Sequence, residues 1–234
     1  MATLKAVIFD LFETLVTEWG RPKYLSREVA ADLCVDYQAF RQEWGALGRD
    51  RFLGKYAKVE DAYRRVLGNL GINQDEQLLI KIAQKRTQYK RKCFDVVESN
   101  IIDMLSALKA EGYKIGLISN CSPEEIGGLK DSALYSYFDT VVLSCDVGMA
   151  KPDIKIYEHC LSLLDESASD CCYIGDGGSN ELQGAKEAGM MPLRALWFIK
   201  YFVENLDMNN EYSVFHKTDE LIEYIIGVAK NVRH

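Results

Sequence analysis

The first apolar run of the sequence, KAVIFD, ends in an aspartate, Asp10. A buried strand that delivers one carboxylate to its carboxyl end is typical of a strand that holds a catalytic nucleophile. A threonine follows four residues later, at Thr14. Between the two lies Phe12, a large apolar ring that cannot carry a proton. Asp10 and Thr14 are therefore the first candidates for catalysis, and Phe12 is the residue that any mechanism has to explain.

Polar residues also follow three later apolar runs. They are Ser119 as the last residue of YKIGLIS and Asn120 directly after it, Lys151 beyond TVVLS and before a helix, and Asp176 after CCYIG, with Glu181 five residues later. A phosphoryl group in transfer carries spread negative charge, so its catalysis depends on positioned cations and hydrogen-bond donors. A lysine and a serine at strand ends supply such groups. The order of these residues is the one that a phosphate-handling site needs.

The elements that must position these residues are short strands separated by helices. Strands are predicted over residues 5–10, 113–119, 140–144, 171–175 and 192–197. Apolar residues at helical spacing predict intervening helices, one of which starts with Pro152 in its first turn. Strands that alternate with helices predict an α/β fold with a doubly wound parallel sheet.

Residues 17–93 interrupt this alternation, because they contain amphipathic helical stretches and no strand pattern. We expect residues 1–16 and 94–234 to form an α/β hydrolase core and residues 17–93 to form a helical cap. Ligands of open α/β sheets bind beyond the carboxyl ends of the strands, so the cap would lie over the site. Within the cap, Arg51 and Lys55 fit either a basic helix end or a loop that presents cations to an anionic substrate.

In this order and spacing, the residues resemble the motifs of the haloacid dehalogenase superfamily, hydrolases that use an aspartate nucleophile. The resemblance covers the whole chain and includes a helical cap after the first strand. It implies that Asp10 attacks the substrate and forms a covalent aspartyl intermediate. It also implies that Thr14 and Ser119 hydrogen-bond the transferring group, and that Lys151 neutralises its charge. The position of Asn120 beside Ser119 indicates a role in substrate binding.

The resemblance further implies a Mg²⁺ site. Asp10, Asp176 and the backbone carbonyl of Phe12 would hold the ion, with Glu181 as an outer partner. An attacking carboxylate and an anionic substrate repel each other, and a hard, oxygen-seeking cation between them removes that repulsion. Glycines around Asp176 allow the backbone to come close to such an ion.

Phe12 separates three functional hypotheses. Phosphatases of the family usually place a second aspartate at this position, whereas the dehalogenase branch places an aromatic residue there. Those dehalogenases lack the aspartate of the Gly175–Asp176 pair and need no metal. The leading expectation is a Mg²⁺-dependent phosphatase of a small phosphorylated metabolite, with Phe12, Asn120 and the cap cations contacting the substrate. The alternatives are a 2-haloacid dehalogenase-like hydrolase and a catalytically faded binding or regulatory protein.

Composition excludes some other classes of protein. The chain has 234 residues, of which 48% are hydrophobic, and a formal net charge of −7. It contains no basic block suited to nucleic acid and no run of about 18 apolar residues that would span a membrane. The seven cysteines lie mostly in apolar segments, which favours reduced thiols in a cytoplasmic protein. The expected partner is a small anionic substrate, and the sequence does not indicate an oligomeric state.

Overall fold

The computed structural model describes residues 4–20, 23–199 and 211–231. Its central element is a parallel sheet. The strands are β1 (Ala6–Phe9), β2 (Lys114–Ser119), β3 (Thr140–Leu143), β4 (Cys171–Gly175), β5 (Met191–Ala195) and β6 (Ser213–Phe215). They lie in the order β3-β2-β1-β4-β5-β6, and every neighbouring pair is parallel. The predicted fold class, an α/β fold with a doubly wound parallel sheet, is confirmed.

Helices cover both faces of this sheet. They are α6 (Ser99–Ala110), α7 (Ser144–Val147), α8 (Ile154–Leu164), α9 (Glu181–Glu187) and α10 (Thr218–Asn231). Successive strand residues point to opposite faces, so Val7 and Phe9 of β1 join one apolar cluster while Ala6 and Ile8 join the other. All four side chains are fully buried, as expected for a parallel strand covered on both sides. The sheet therefore holds the residue that follows β1 in a rigid position.

A group of helices follows β1 directly. They are α1 (Ser26–Asp32), α2 (Tyr37–Ala46), α3 (Gly48–Phe52), α4 (Val59–Asn69) and α5 (Glu76–Asp95). They bury an apolar cluster of their own, which includes the rings of Phe40, Trp44 and Tyr63. The last turn of α5 instead places Cys93 and Phe94 in a cluster of the sheet. The helical character of the insert is thus observed, while its division from the core at residues 16 and 94 stays a prediction.

The end of the sheet differs from the prediction in one strand. The predicted strand over residues 192–197 is β5, which ends at Ala195, and β6 pairs beside it without having been predicted. Residues 200–210, which the prediction assigned to the core, lie outside the described residues. None of the described helices has the length and apolar character needed to cross a lipid bilayer.

The insert and the sheet approach each other closely at Gly54, just after α3. Gly54 has φ +73°, and a Cβ atom added there would lie 2.0 Å from the carbonyl oxygen of Cys145 in α7. Glycine is required here for its backbone conformation and also for the close approach. Through this contact, α3 packs on α7 at the end of β3.

Candidate active site

Asp10 lies at the carboxyl end of β1, in the middle of the sheet. Its side chain is buried, and its backbone N–H donates a hydrogen bond to the carbonyl of Ile174 on β4 (2.8 Å). Lys151, in the segment between α7 and α8, brings its Nζ within 2.5 Å of Asp10 Oδ1. Burial lowers the pKa of Lys151, but the charges of Asp10 and Glu181 outweigh burial and raise it above its ordinary value. The predicted nucleophile and the predicted cation are therefore in contact.

Glu181 begins α9 and accepts hydrogen bonds on both of its carboxylate oxygens. Lys151 Nζ lies 2.5 Å and Tyr173 Oη 2.8 Å from Oε2, while the N–H of Gly177 lies 3.1 Å from Oε1. Gly175 leaves the space for this carboxylate, since a Cβ there would lie 2.1 Å from Oε1. The glycine before Asp176 is therefore a steric requirement of the site.

No role for Tyr173 was predicted from the sequence. Its hydroxyl group, fully buried in β4, lies 2.9 Å from Lys151 Nζ as well as 2.8 Å from Glu181. Tyr173 therefore fixes the position of the lysine relative to the carboxylates. A tyrosine within an otherwise apolar strand was the only available signal, because a buried hydroxyl needs a hydrogen-bond partner.

Three carboxylates converge at this end of the sheet. One oxygen each from Asp10, Asp176 and Glu181 lies within 4.8 Å of the others. Burial, followed by the charge of Glu181, raises the pKa of Asp10 to about 8 against the opposing effect of Lys151. The same two causes raise the pKa of Asp176 to about 6. One ammonium group does not balance three carboxylates, so these residues fit a divalent cation that prefers oxygen ligands.

Thr14 and Ser119 present buried hydroxyl groups at the same end of the sheet. Both side chains are fully buried, and neither hydroxyl has a hydrogen-bond partner among the residues that the structure describes. An unsatisfied buried hydroxyl costs free energy, so both are suited to receive the oxygens of a bound ligand. The backbone of Thr14 is fixed by Trp197, whose Nε1 donates to its carbonyl (2.8 Å).

Asn120 is engaged by the protein itself. Its side-chain amide donates to the carbonyl of Lys151 (2.9 Å) and accepts from the N–H of Lys151 (2.8 Å). In this arrangement Asn120 holds the segment that carries Lys151, the predicted catalytic cation. Direct binding of substrate by Asn120 stays a prediction.

Phe12 connects the loop after β1 to the insert. Its ring packs against Phe94 of α5, with centroids 6.3 Å apart, and Lys90 Nζ lies 5.9 Å from its centroid. The next residue, Glu13, has φ 59° and accepts hydrogen bonds from Thr17 Oγ1 (2.6 Å) and the backbone N–H of Glu18 (3.1 Å). The carboxylate nearest to Phe12 in sequence is thus held by its own loop.

The two cations predicted for the cap lie in different environments. Arg51 of α3 is 7% exposed and stacks on Trp44, with the guanidinium carbon 3.7 Å from the ring centroid. Lys55 has an exposed side chain and pairs with Asp50 (2.8 Å). The structure buries Arg51 at the interface and leaves Lys55 at the surface, and contact of either with substrate stays a prediction.

A buried ion network joins α5 to the turn Pro123–Glu125, which follows β2. Arg86 contacts Glu124 (3.2 Å) and Glu125 (3.3 Å), and Lys90 contacts Glu125 (3.0 Å) and Glu18 (2.7 Å). Burial raises the pKa of Glu125, but Lys90 and Arg86 outweigh it and hold the pKa well below its usual range. The sequence did not reveal this network, because its members read separately as helix and turn residues.

Comparison with known proteins indicates one family of hydrolases. The family model of haloacid dehalogenase-like hydrolases matches residues 4–189. A glyceraldehyde 3-phosphate phosphatase of Methanothermobacter thermautotrophicus is 29% identical over 192 residues, which cover 80% of this chain and 83% of the relative. A protein of the same name from Methanocaldococcus jannaschii is 23% identical, with 98% and 99% covered.

Solved structures show the same fold. A 2-haloacid dehalogenase from Pseudomonas syringae pv. tomato has a TM-score of 0.67 at 21% identity, covering 96% of this chain and 98% of that one. A HAD phosphatase from Thermococcus onnurineus has a TM-score of 0.63, also at 21% identity, with 96% and 98% covered. At this identity the structures establish the fold alone. Since the family model spans most of the sequence, the chain belongs to the haloacid dehalogenase-like hydrolases.

Proposed function

We propose that the protein is a Mg²⁺-dependent phosphatase that acts on a small phosphorylated metabolite through an aspartyl-phosphate on Asp10. The observation that carries this proposal is the contact of a buried strand-end aspartate with Lys151, next to three converging carboxylates. The three carboxylates favour binding of a cation, and Lys151 favours binding of an anionic substrate. The two relatives named as phosphatases support the same reaction class.

In the proposed reaction, Asp10 attacks phosphorus with Oδ2, because Lys151 occupies Oδ1. The bond between Asp10 Oδ2 and phosphorus forms as the ester P–O bond breaks, and the leaving oxygen departs as an anion that takes up a proton from water. Water then hydrolyses the acyl phosphate, which releases inorganic phosphate and restores the carboxylate. The unpartnered hydroxyls of Thr14 and Ser119 donate to the phosphoryl oxygens, and Lys151 neutralises part of their charge.

Asp10, Asp176 and the backbone carbonyl of Phe12 would hold the metal ion. Glu181 would stay outside, because both of its oxygens already accept hydrogen bonds. When bound, Mg²⁺ would supply positive charge to the phosphoryl oxygens and keep the two aspartates ionised.

The proposal is tested with a panel of phosphate esters, assayed with Mg²⁺ and with a chelator. We expect turnover only with Mg²⁺, and none for Asp10→Asn, because an amide keeps the shape of the side chain but cannot attack. Circular dichroism checks that the variant is folded. Near-normal activity of Asp10→Asn would overturn the assignment of the nucleophile.

Phe12 favours a second candidate, a 2-haloacid dehalogenase-like hydrolase, because an aromatic residue at this position resembles that branch. The same panel therefore includes 2-chloropropionate. Halide release in the presence of chelator would replace the phosphatase proposal. Binding of Mg²⁺ and a phosphate ester without release of phosphate or halide would instead indicate a binding or regulatory protein.

A further inference from the structure

Arg51 is a buried cation that forms no ion pair with any residue that the structure describes. Its side chain is 7% exposed, its guanidinium group stacks on Trp44, and its Nε has no hydrogen-bond partner within the described part of the chain. Transfer of a charged group out of water is costly unless the group is paired and hydrogen-bonded. The stacking contact offsets part of that cost but supplies no negative charge.

The other buried cations nearby are fully engaged. Arg86 and Lys90 each contact two carboxylates, and together they account for Glu18, Glu124 and Glu125. Glu124 and Glu125 attract Arg51 electrostatically without forming an ion pair with it. The contact region between the insert and the loop after β2 therefore contains one more buried cation, Arg51, than its ion pairs use.

A second unpartnered donor lies beside Arg51. Tyr63 of α4 is fully buried, and its hydroxyl finds no hydrogen-bond partner in the ranges that the structure covers. Its ring centroid is 5.2 Å from that of Trp44, the ring on which Arg51 stacks, and each of the two residues perturbs the ionisation of the other. Arg51 Nε and the Tyr63 hydroxyl, two donors without an acceptor among the described residues, make a site for an oxyanion.

The position of this pair connects it with the catalytic site. Arg51 lies on α3, which packs on α7 at the end of β3. Its electrostatic neighbours Glu124 and Glu125 follow Ser119 in the loop after β2. Arg51 and Tyr63 therefore lie, on the insert, near the loop that directly follows Ser119, one of the predicted phosphate ligands.

We propose that Arg51 and Tyr63 bind a second anionic group of the substrate, a carboxylate or a phosphate remote from the phosphoryl group that is transferred. This inference rests on the proposed phosphatase function and names its substrate class. The preferred substrate is then a phosphate monoester that carries a further oxyanion, and an alkyl phosphate of the same size without a second charged group is a poor one.

The test compares substrates that differ only in the second group. 3-Phosphoglycerate carries a carboxylate where glycerol 3-phosphate carries a hydroxymethyl group, and glycerol 1,3-bisphosphate carries a second phosphate at that end. We expect kcat/KM of the wild type to be about 10- to 100-fold higher for at least one of the two substrates with a second anionic group than for glycerol 3-phosphate. Arg51→Met should remove that preference, because kcat/KM should fall further for the substrates with a second anionic group than for glycerol 3-phosphate. Arg51→Lys should restore part of it, because the charge returns without the planar fork.

Arg49→Met is the matched control, since Arg49 lies on the same helix and is exposed. It should leave the preference unchanged. An equal loss on both substrates in Arg51→Met and Arg51→Lys, or a wild type without any preference, would overturn the inference.

A binding measurement separates this inference from the proposed function. If no ester is hydrolysed, the phosphatase proposal fails, and calorimetry with 3-phosphoglycerate and glycerol 3-phosphate still tests the site. Tighter binding of 3-phosphoglycerate to the wild type, lost in Arg51→Met and in Tyr63→Phe, supports it. Equal binding of the two esters overturns it.

Discussion

The ring of Phe12 determines which leaving groups the proposed phosphatase can handle. It packs on Phe94 and places no proton donor at the position where the family's phosphatases carry an acid. Aryl and acyl leaving groups depart readily as anions, whereas alkyl alkoxides need a proton. The wild type should therefore hydrolyse aryl phosphates much faster than alkyl phosphates. Phe12→Asp should narrow this difference, with a ceiling of about 10²- to 10⁴-fold for a well-placed acid.

A leaving-group series at saturating Mg²⁺ measures this effect. Phe12→Asn is the control, because it removes the ring in the same way but supplies no acid. A wild type that is equally fast on alkyl and aryl phosphates would show that another group protonates the leaving oxygen.

Gly175 is expected to be sensitive to a single methyl group. In Gly175→Ala the added Cβ would meet the Glu181 carboxylate, which would then lose its position between Lys151 and Tyr173. A displacement of about 1 Å in a catalytic site can cost on the order of 10²-fold in rate, so we expect a loss of kcat of that size.

The matched control is Gly127→Ala, at an exposed glycine with no atom within 4 Å of an added Cβ. It should keep full activity. Unchanged kcat in Gly175→Ala would mean that catalysis does not depend on the position of Glu181.

The sequence predicted the site residues that follow strands, because parallel strands bring their carboxyl ends to one edge of the sheet. Asp10, Lys151 and Asp176 converge there as expected. Tyr173 could not be predicted, because its role depends on which face of β4 it occupies and on how far Lys151 reaches. Those quantities are set by packing between elements distant in sequence.

At the scale of elements, α5 links the insert to the loop after β2. Arg86→Met would leave Glu124 without its ion-pair partner and Glu125 with Lys90 alone. Removing one partner of a buried ion pair typically costs about 3–5 kcal/mol, because the remaining charge stays buried. Denaturant unfolding should show a loss of stability of that order.

Arg91→Met provides the control on the same helix. Arg91 pairs with Asp131, but both side chains are at least half exposed, so its removal should cost less than about 1 kcal/mol. Similar losses for the two variants would show that the buried network contributes no more than a surface pair.

The elements themselves were predicted to different extents. Strands β1 to β5 were found because a buried strand is a short apolar run between turns. β6 was missed, since Ser213–Phe215 is too short for a pattern and is paired along only one side. The ion pairs of the charged residues of α5 were not predicted, because a sequence pattern cannot show that acidic residues from another element cover them.

At the scale of the molecule, Mg²⁺ should stabilise the fold, because the metal binds the native state alone. A ligand at about 100 times its Kd adds about 2.7 kcal/mol, which corresponds to a rise in Tm of about 5–10 °C for a chain of this size. Thermal unfolding with MgCl₂ should show this shift. Since the pKa values of Asp10 and Asp176 are raised to about 8 and about 6, protons compete with the metal, and the apparent affinity should rise with pH over that range.

Asp176→Asn separates metal binding from a general salt effect. It should abolish the Mg²⁺-dependent shift, while the metal-free variant is at least as stable as the metal-free wild type because one repelling charge is gone. KCl at matched ionic strength should produce no such shift in the wild type. A shift that persists in Asp176→Asn would place the ion elsewhere.

The close contact at Gly54 has a consequence for how substrate range can change. In Gly54→Ala the new methyl group would meet a backbone oxygen, which cannot rotate away, so α3 should separate from α7 and carry Arg51 with it. Amide hydrogen exchange should then quicken in α3 and in the turn Pro123–Glu125. Gly71→Ala has a similar positive φ but open space around its Cβ, and it should leave that exchange unchanged. A substitution that changes only the distance between α3 and α7 can therefore alter the specificity of the enzyme, even when every residue that contacts the substrate is unchanged.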